Sequence, residues 1–183
     1  TILSTTTLRA IAVVVPYDFA PPTNGGQKVC YDFCVSLSRQ TDVICFSSMH
    51  SNNISGIHAI KLFRKSVFKY FDPYIVFRLA KLLREHNVQI CVVNHPFFSL
   101  SALIACKLLR CKLVTYAHNL EHRRQDGVIP YARPIFFLLE FLAYRLSDGV
   151  FFLSKTELTD AIRLFKLNHR RCFFIPHIAC SKK

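Results

Sequence analysis

A few side chains in this chain have the types needed for hydrogen-bonding or proton-transfer chemistry, and they recur where apolar runs end. The run at residues 11–15 leads into Pro16 and then Asn24-Gly25-Gly26. The QICVV run at 89–93 delivers Asn94-His95-Pro96, and the CKLVTY run delivers His118-Asn119-Leu120-Glu121. The GVFFL run delivers Ser154. Histidine can hydrogen-bond a hydroxyl or move a proton near neutral pH. Backbone N–H groups beside paired glycines attract anions when a helix starts there, and the missing side chains let a phosphate or a sugar come close. The bland reading of the same glycines is a loop that only turns the chain, taking positive φ where it must. His95 precedes Pro96, so it is extended, and its position suits a plain strand end as well as a ligand contact. His118 to His122 also spells H-x-x-E-H, a zinc pattern that works when both histidines share a helical face. Here the pattern follows directly on a buried strand and Tyr116, so no metal is expected.

These residues need a frame that brings them to one edge. Residues 11–15 suit a strand buried on both faces, with a helix starting near Gln27. Further strands are expected at 42–46, 57–63, 89–93, 111–116, 149–153 and 172–175. Helices are expected at 64–86, interrupted at Asp72-Pro73, and at 97–110, 134–146 and 155–165. Leu100, Leu103, Ile104 and Leu108 are read as the inner side of the second of these, Ser154 as a plausible amino-terminal cap of the last, and 118–127 as a polar segment. Strands alternating with helices in this way predict an α/β fold, a Rossmann-like parallel sheet with helices on both faces. Ligands of such sheets sit at the carboxyl ends of the strands, where the polar residues above collect. No G-x-G-x-x-G and no G-K-[ST] is present, so neither the dinucleotide fingerprint nor a Walker loop explains the glycines.

The chain of 183 residues is 51% hydrophobic, carries 17 phenylalanines and has a formal net charge of +13. That length suits one domain with a well-filled core. No uncharged window reaches the length of a membrane-spanning helix. The charge points to an anionic partner. Between Lys61 and Arg84, bases alternate with Phe63, Phe68, Phe71, Tyr74 and Phe77. This region reads either as an element lying on an anionic membrane surface or as core aromatics under a solvated basic face. No nucleic-acid recognition module is visible, so nucleic acid is not expected as a partner. The eight cysteines form no C-x-x-C pair and several sit in apolar runs. They are read as reduced and mostly buried, which predicts a cytoplasmic protein.

Four segments together resemble a known family. Pro21-Pro22-Thr23-Asn24-Gly25-Gly26 after the first strand resembles the start of GT-B glycosyltransferases of the large group 4 family. Tyr116-Ala117-His118-Asn119-Leu120-Glu121 looks like that family's H-N-x-E segment. Ser147-Asp148-Gly149-Val150 through Leu153-Ser154 is similar to its "aD-x-v-x-x-S" passage, and Phe174-Ile175-Pro176 to the end of its amino-terminal domain. After Pro176 this chain has His177-Ile178 where the family usually has Asn-Gly. The resemblance implies that 1–176 is the Rossmann-like, acceptor-side domain of a glycosyltransferase, with 177–183 a tail or the start of an inter-domain linker. It implies a second, nucleotide-sugar domain outside this chain, so that the chain alone folds but is an inactive fragment. The substrate would be a nucleotide sugar, with no cofactor, no metal and a retaining outcome. The acceptor would be a saccharide or a lipid-linked one, in polysaccharide or glycolipid biosynthesis, with the protein cytoplasmic or peripheral at the inner face of the membrane. His118 would be catalytic and face the transferred sugar, and Gly25 and Gly26 would approach the donor phosphate. Asn24, Asn94, His95, Asn119, Glu121 and Ser154 complete the candidate donor-phosphate or acceptor-binding set. The alternative is a non-catalytic α/β module that binds an anionic ligand or a membrane. A metal-dependent hydrolase using His118, Glu121 and His122 is a third reading.

Overall fold

The aliphatic run after Ala10 becomes β1 (Ile11–Val14), whose last three residues are buried. It is hydrogen-bonded on both sides, to β2 (Val43–Ser47) and to β4 (Ile90–Val93). The computed structural model describes residues 10–48, 54, 56–63, 73–124 and 133–176, with only the backbone described at 98, 99, 121 and 124. The remaining strands are β3 (Ile57–Lys61), β5 (Lys112–Ala117), β6 (Gly149–Phe152) and β7 (Cys172–Phe174). They form one sheet in the order β3-β2-β1-β4-β5-β6-β7. Every strand pair is parallel. The Rossmann-like α/β architecture expected from the sequence is therefore the fold observed.

The connection after β1 runs toward β2, whereas β4, β5, β6 and β7 proceed the other way across the sheet. Right-handed crossovers then put the two sets of helices on opposite faces. Helix α1 (Gly25–Ser38) packs on the face that carries Val13, Val15 and Val92. On the other face, α2 (Tyr74–Glu85) and α3 (Pro96–Leu109) cover Ala12, Val14, Cys91 and Val93. A short turn, α4 (Glu121–Arg124), is followed by α5 (Arg133–Leu146) and α6 (Lys155–Phe165). The last two close over Ala117, Val150 and Phe152. The reversal of strand order falls between β1 and β4, and there the loops after the two strands splay apart and open a crevice.

Three sequence expectations change. Helix α1 starts at Gly25 rather than near Gln27, because Asn24 caps it: its Oδ1 accepts the Gln27 N–H at 3.0 Å. Gly25 and Gly26 are thus the first helical residues, and neither has positive φ. In α3 the side facing the sheet is Ala102, Ala105 and Cys106, while Ile104 and Leu108 are 52% and 65% exposed. The segment is apolar all round, so its periodicity did not fix its phase, and small residues won the close approach to the sheet. The segment expected to be merely polar after β5 contains α4. The expected helix over 64–72, with Phe68 and Phe71, and the tail 177–183 lie outside the described residues. Seven cysteines are free thiols, six of them buried. Cys180 lies outside the described residues.

Candidate functional site

Asn94 is the first residue beyond β4. Its backbone N–H continues the ladder to Val14 O at 3.0 Å, which fixes its place at the crevice. Its side chain is fully buried, with Oδ1 3.2 Å from Nε2 of His118. An amide oxygen only accepts, so His118 donates through Nε2. The amide Nδ2 has no hydrogen-bond partner. A buried donor left unpaired costs about 1–3 kcal/mol, which makes this position one that a ligand would satisfy.

His118 follows the last residue of β5, and its ring lies 5.0 Å from that of Tyr116. Its Nε2 is also 3.7 Å from Sγ of Cys30 on α1, which in turn lies 3.0 Å from the Tyr17 hydroxyl. Burial pushes the Cys30 thiol up to about 12, so it remains a protonated thiol and not a nucleophile at neutral pH. The loop carrying His118 is tied down beyond it. Leu120 N–H points to Oε1 of Glu157 at 3.4 Å, and His122 is clamped by the buried Glu140. Oε2 of Glu140 takes both the His122 backbone N–H at 3.1 Å and Nδ1 at 2.6 Å, while Oε1 accepts the Tyr144 hydroxyl at 3.1 Å. His122 therefore faces Glu140, Phe137 and Phe165, and His118 faces Asn94 and Cys30. The two histidines of the H-x-x-E-H sequence do not converge, and the described residues contain no group of three or more metal-ligating side chains suited to a metal ion.

Across from His118 stands the amino terminus of α1. Gln27 Oε1 accepts from both the backbone N–H and the hydroxyl of Thr23 at 2.7 Å, so the helix start is held from both sides. The N–H groups of Gly25 and Gly26 belong to the first turn, which an α-helix leaves without internal acceptors. A Cβ placed on Gly25 would meet nothing within 4 Å, and one on Gly26 only Asn24 Oδ1 at 3.6 Å. Neither glycine is demanded by the fold; each leaves open space in front of a helix dipole.

These parts enclose a cleft of about 690 Å³. Of the candidate residues, Asn24, Gly25, Gly26, Asn94, His95, His118 and Asn119 line it. Ser154 does not: it caps α6 by accepting the Glu157 N–H at 3.5 Å. Glu121 begins α4, and its side chain lies outside the described residues. The lining also includes Tyr17, Gln27, Val29 and Leu153, which the strand-end reading missed. Tyr17 immediately follows Pro16 and could have been found by that logic, whereas Gln27 and Val29 lie on α1 rather than at a strand end. No described lining side chain is a carboxylate, a lysine or an arginine. The cleft offers amides, imidazoles and a phenol to a polyhydroxylated ligand, and one helix terminus to an anionic group.

A doubly wound parallel sheet with a polar-lined cleft at its switch point defines a Rossmann-like domain of the kind that forms the amino-terminal half of the GT-B fold. The chain belongs to Glycosyltransferase Family 4, whose sequence profile matches residues 23–178. No curated protein sequence matches it. Among solved structures, the chain is similar to sucrose-phosphate synthase from Thermosynechococcus elongatus, with a TM-score of 0.66 and 13% identity. That match covers 92% of this chain and 48% of the synthase. It is also similar to Anabaena HepE in complex with UDP-glucose (TM-score 0.62, 13% identity, 92% of this chain and 43% of HepE). WaaG, a glycosyltransferase involved in lipopolysaccharide biosynthesis, gives a TM-score of 0.62 at 14% identity, over 91% of this chain and 44% of WaaG. The chain thus spans less than half the length of each.

Proposed function

We propose that this chain is the acceptor-side domain of a glycosyltransferase that moves a sugar from a nucleotide-sugar donor to an acceptor hydroxyl. The observation that carries the reading is the buried Asn94–His118 pair, with Nδ2 of Asn94 unpaired, in the same cleft as the open amino terminus of α1. On this reading His118 hydrogen-bonds the transferred sugar. Asn94 holds the imidazole in the tautomer with hydrogen on Nε2 and offers its own N–H to a ligand oxygen. The amides of Gly25 and Gly26 meet the donor phosphate, whose charge grows as the nucleoside diphosphate leaves. His95 and Asn119 orient hydroxyls, and Asn24 keeps the helix start in place. Glu121 is assigned to the loop that presents His118, and Ser154 acts through its cap on α6 rather than by touching substrate.

The donor is a nucleotide sugar of the kind bound by HepE, used without a cofactor or a resident metal ion. Most contacts to the nucleotide come from a second domain that closes on residues 1–176, with 177–183 leading toward it. The 183 residues alone are then an inactive fragment. The acceptor is a saccharide or a lipid-linked saccharide, and the pathway one of polysaccharide or glycolipid assembly. Free thiols throughout the described residues fit a reducing compartment, hence a cytoplasmic protein, peripheral at the inner membrane face when its acceptor is lipid-linked. Among the described residues no helix is long and apolar enough to cross a membrane.

The test is sugar transfer from a panel of nucleotide sugars by the protein that combines this chain with a donor-side domain. Transfer to a saccharide or lipid-linked acceptor is expected, with none from residues 1–183 alone. Nucleotide-sugar binding with neither transfer nor donor hydrolysis would favour the non-catalytic anion-binding module instead.

A further inference from the structure

Seven of the ten most exposed large apolar side chains among the described residues lie on only three helices. They include Tyr74 and Phe77 on α2, Ile104 and Leu108 on α3, and Ile135 and Leu138 on α5. Helix α3 packs between α2 and α5, so these side chains share the outer surface of one layer. Phe77 is 70% exposed and Leu108 65%, values at which the fold gains little from an apolar residue.

The charge on that layer is one-sided. The exposed Lys81, Arg84, Lys107 and Arg145 lie on the same three helices. Their only carboxylates are Glu140, which is buried against His122, and Glu85, which lies 3.7 Å from Lys81. On α2 the mixture is orderly: Tyr74, Phe77, Lys81 and Arg84 recur at helical spacing on the side opposite the buried Ile75, Leu79 and Leu83. Apolar and aromatic side chains set among bases, with almost no acid, fit a surface that is negative outside and apolar beneath.

We propose that the outer face of α2, α3 and α5 lies on an anionic lipid bilayer. The face differs from the region 61–84 expected from the sequence. Phe63 is buried in the core, and Arg78 donates to the backbone oxygens of Lys61 at 2.9 Å and Leu62 at 3.4 Å. The apolar and basic character of α2 instead continues sideways across α3 and α5, where the exposed apolar side chains are aliphatic. The proposal rests on and sharpens the peripheral placement proposed above by assigning the face that meets the bilayer, and its failure is distinguishable from failure of the transferase reading because docking is measured without turnover.

Co-sedimentation of the chain with phosphatidylcholine vesicles, with and without phosphatidylglycerol, tests it. Binding should require the anionic lipid and fall with added salt. Phe77→Ser, Ile104→Ser and Arg84→Glu should each reduce binding about fivefold or more. Their side chains are exposed, so the melting temperature should hold, which separates lost docking from lost fold. Arg39→Glu, just past the end of α1 on the opposite face of the sheet, should leave binding unchanged. Absence of binding to either vesicle, or equal losses from Arg39→Glu and Arg84→Glu, would overturn the proposal. So would a chain that is dimeric in sedimentation velocity, is made monomeric by the serine substitutions and ignores the vesicles; this face would then join two copies.

Discussion

Asn94 is a polar side chain with no exposed surface and one unsatisfied amide nitrogen, a cost the fold carries without return unless something else binds there. Asn94→Leu replaces it with an apolar group of similar size. The substitution removes the unpaired nitrogen but also the oxygen that accepts from His118, so the two effects offset and the melting temperature should stay nearly level. Steady-state kinetics of the protein with its donor-side domain should show kcat/KM for the nucleotide sugar lowered about tenfold or more. Lost stability with unchanged kinetics would make Asn94 a structural residue. At this scale much was legible, because a polar residue just past a buried strand of a parallel sheet has little else to do. Asn94, His95, His118 and Asn119 were placed at the lining of the cleft that way. The same logic overreached at Ser154, where the next helix claims the hydroxyl as its cap. It could not see Cys30, a helical residue that reaches His118 only through tertiary packing.

The element that faces these residues is α1, and its first two positions test a different physical point. Glycine is a poor helix former, yet two stand at the start of this helix with no positive φ and no crowding to require them. Gly26→Ala should therefore leave the melting temperature unchanged or slightly higher. If the two amides meet a donor phosphate, the added methyl group stands in its path, and KM for the nucleotide sugar should rise about tenfold while kcat changes less. A clear drop in melting temperature with normal KM would return the glycines to a purely structural role. The sequence indicated strand, loop, glycine pair and helix, but not the cap that moves the helix start to Gly25. It also misjudged α3, since a helix apolar on every side leaves its orientation to packing. The clamp of α4 by Glu140 was unreadable for a similar reason: a glutamate within an apolar helix resembles an interruption until its partners, His122 and Tyr144, are in view.

Across the whole molecule, the alternation of strands and helices was enough to give the parallel sheet, and the sheet gives the position of the cleft. Strand order was not readable, so the switch point between β1 and β4 emerged only from the structure. The buried thiols make a prediction for the entire fold. Burial holds the Cys30 thiol near 12, against an ordinary value of 9.0. A hydrogen bond with Cys45 and burial raise Cys34, and burial raises the Tyr116 phenol. Above their ordinary values, 9.0 for the thiols and 10.0 for the phenol, the unfolded chain loses these protons while the folded chain keeps them. Stability should be fully present below pH 9.0 and fall as pH rises toward about 12, read as a declining urea midpoint. A midpoint that does not move across that window would show that the thiols ionise alike in both states. The central claim is that the crevice at the strand switch point is where the sugar is transferred, and His118→Ala tests it most directly. Turnover and melting temperature should be measured on one preparation of the protein with its donor-side domain. The account predicts a fall in kcat on the order of 100-fold or more, with the melting temperature nearly unchanged. A lowered melting temperature with normal turnover per folded molecule would contradict it.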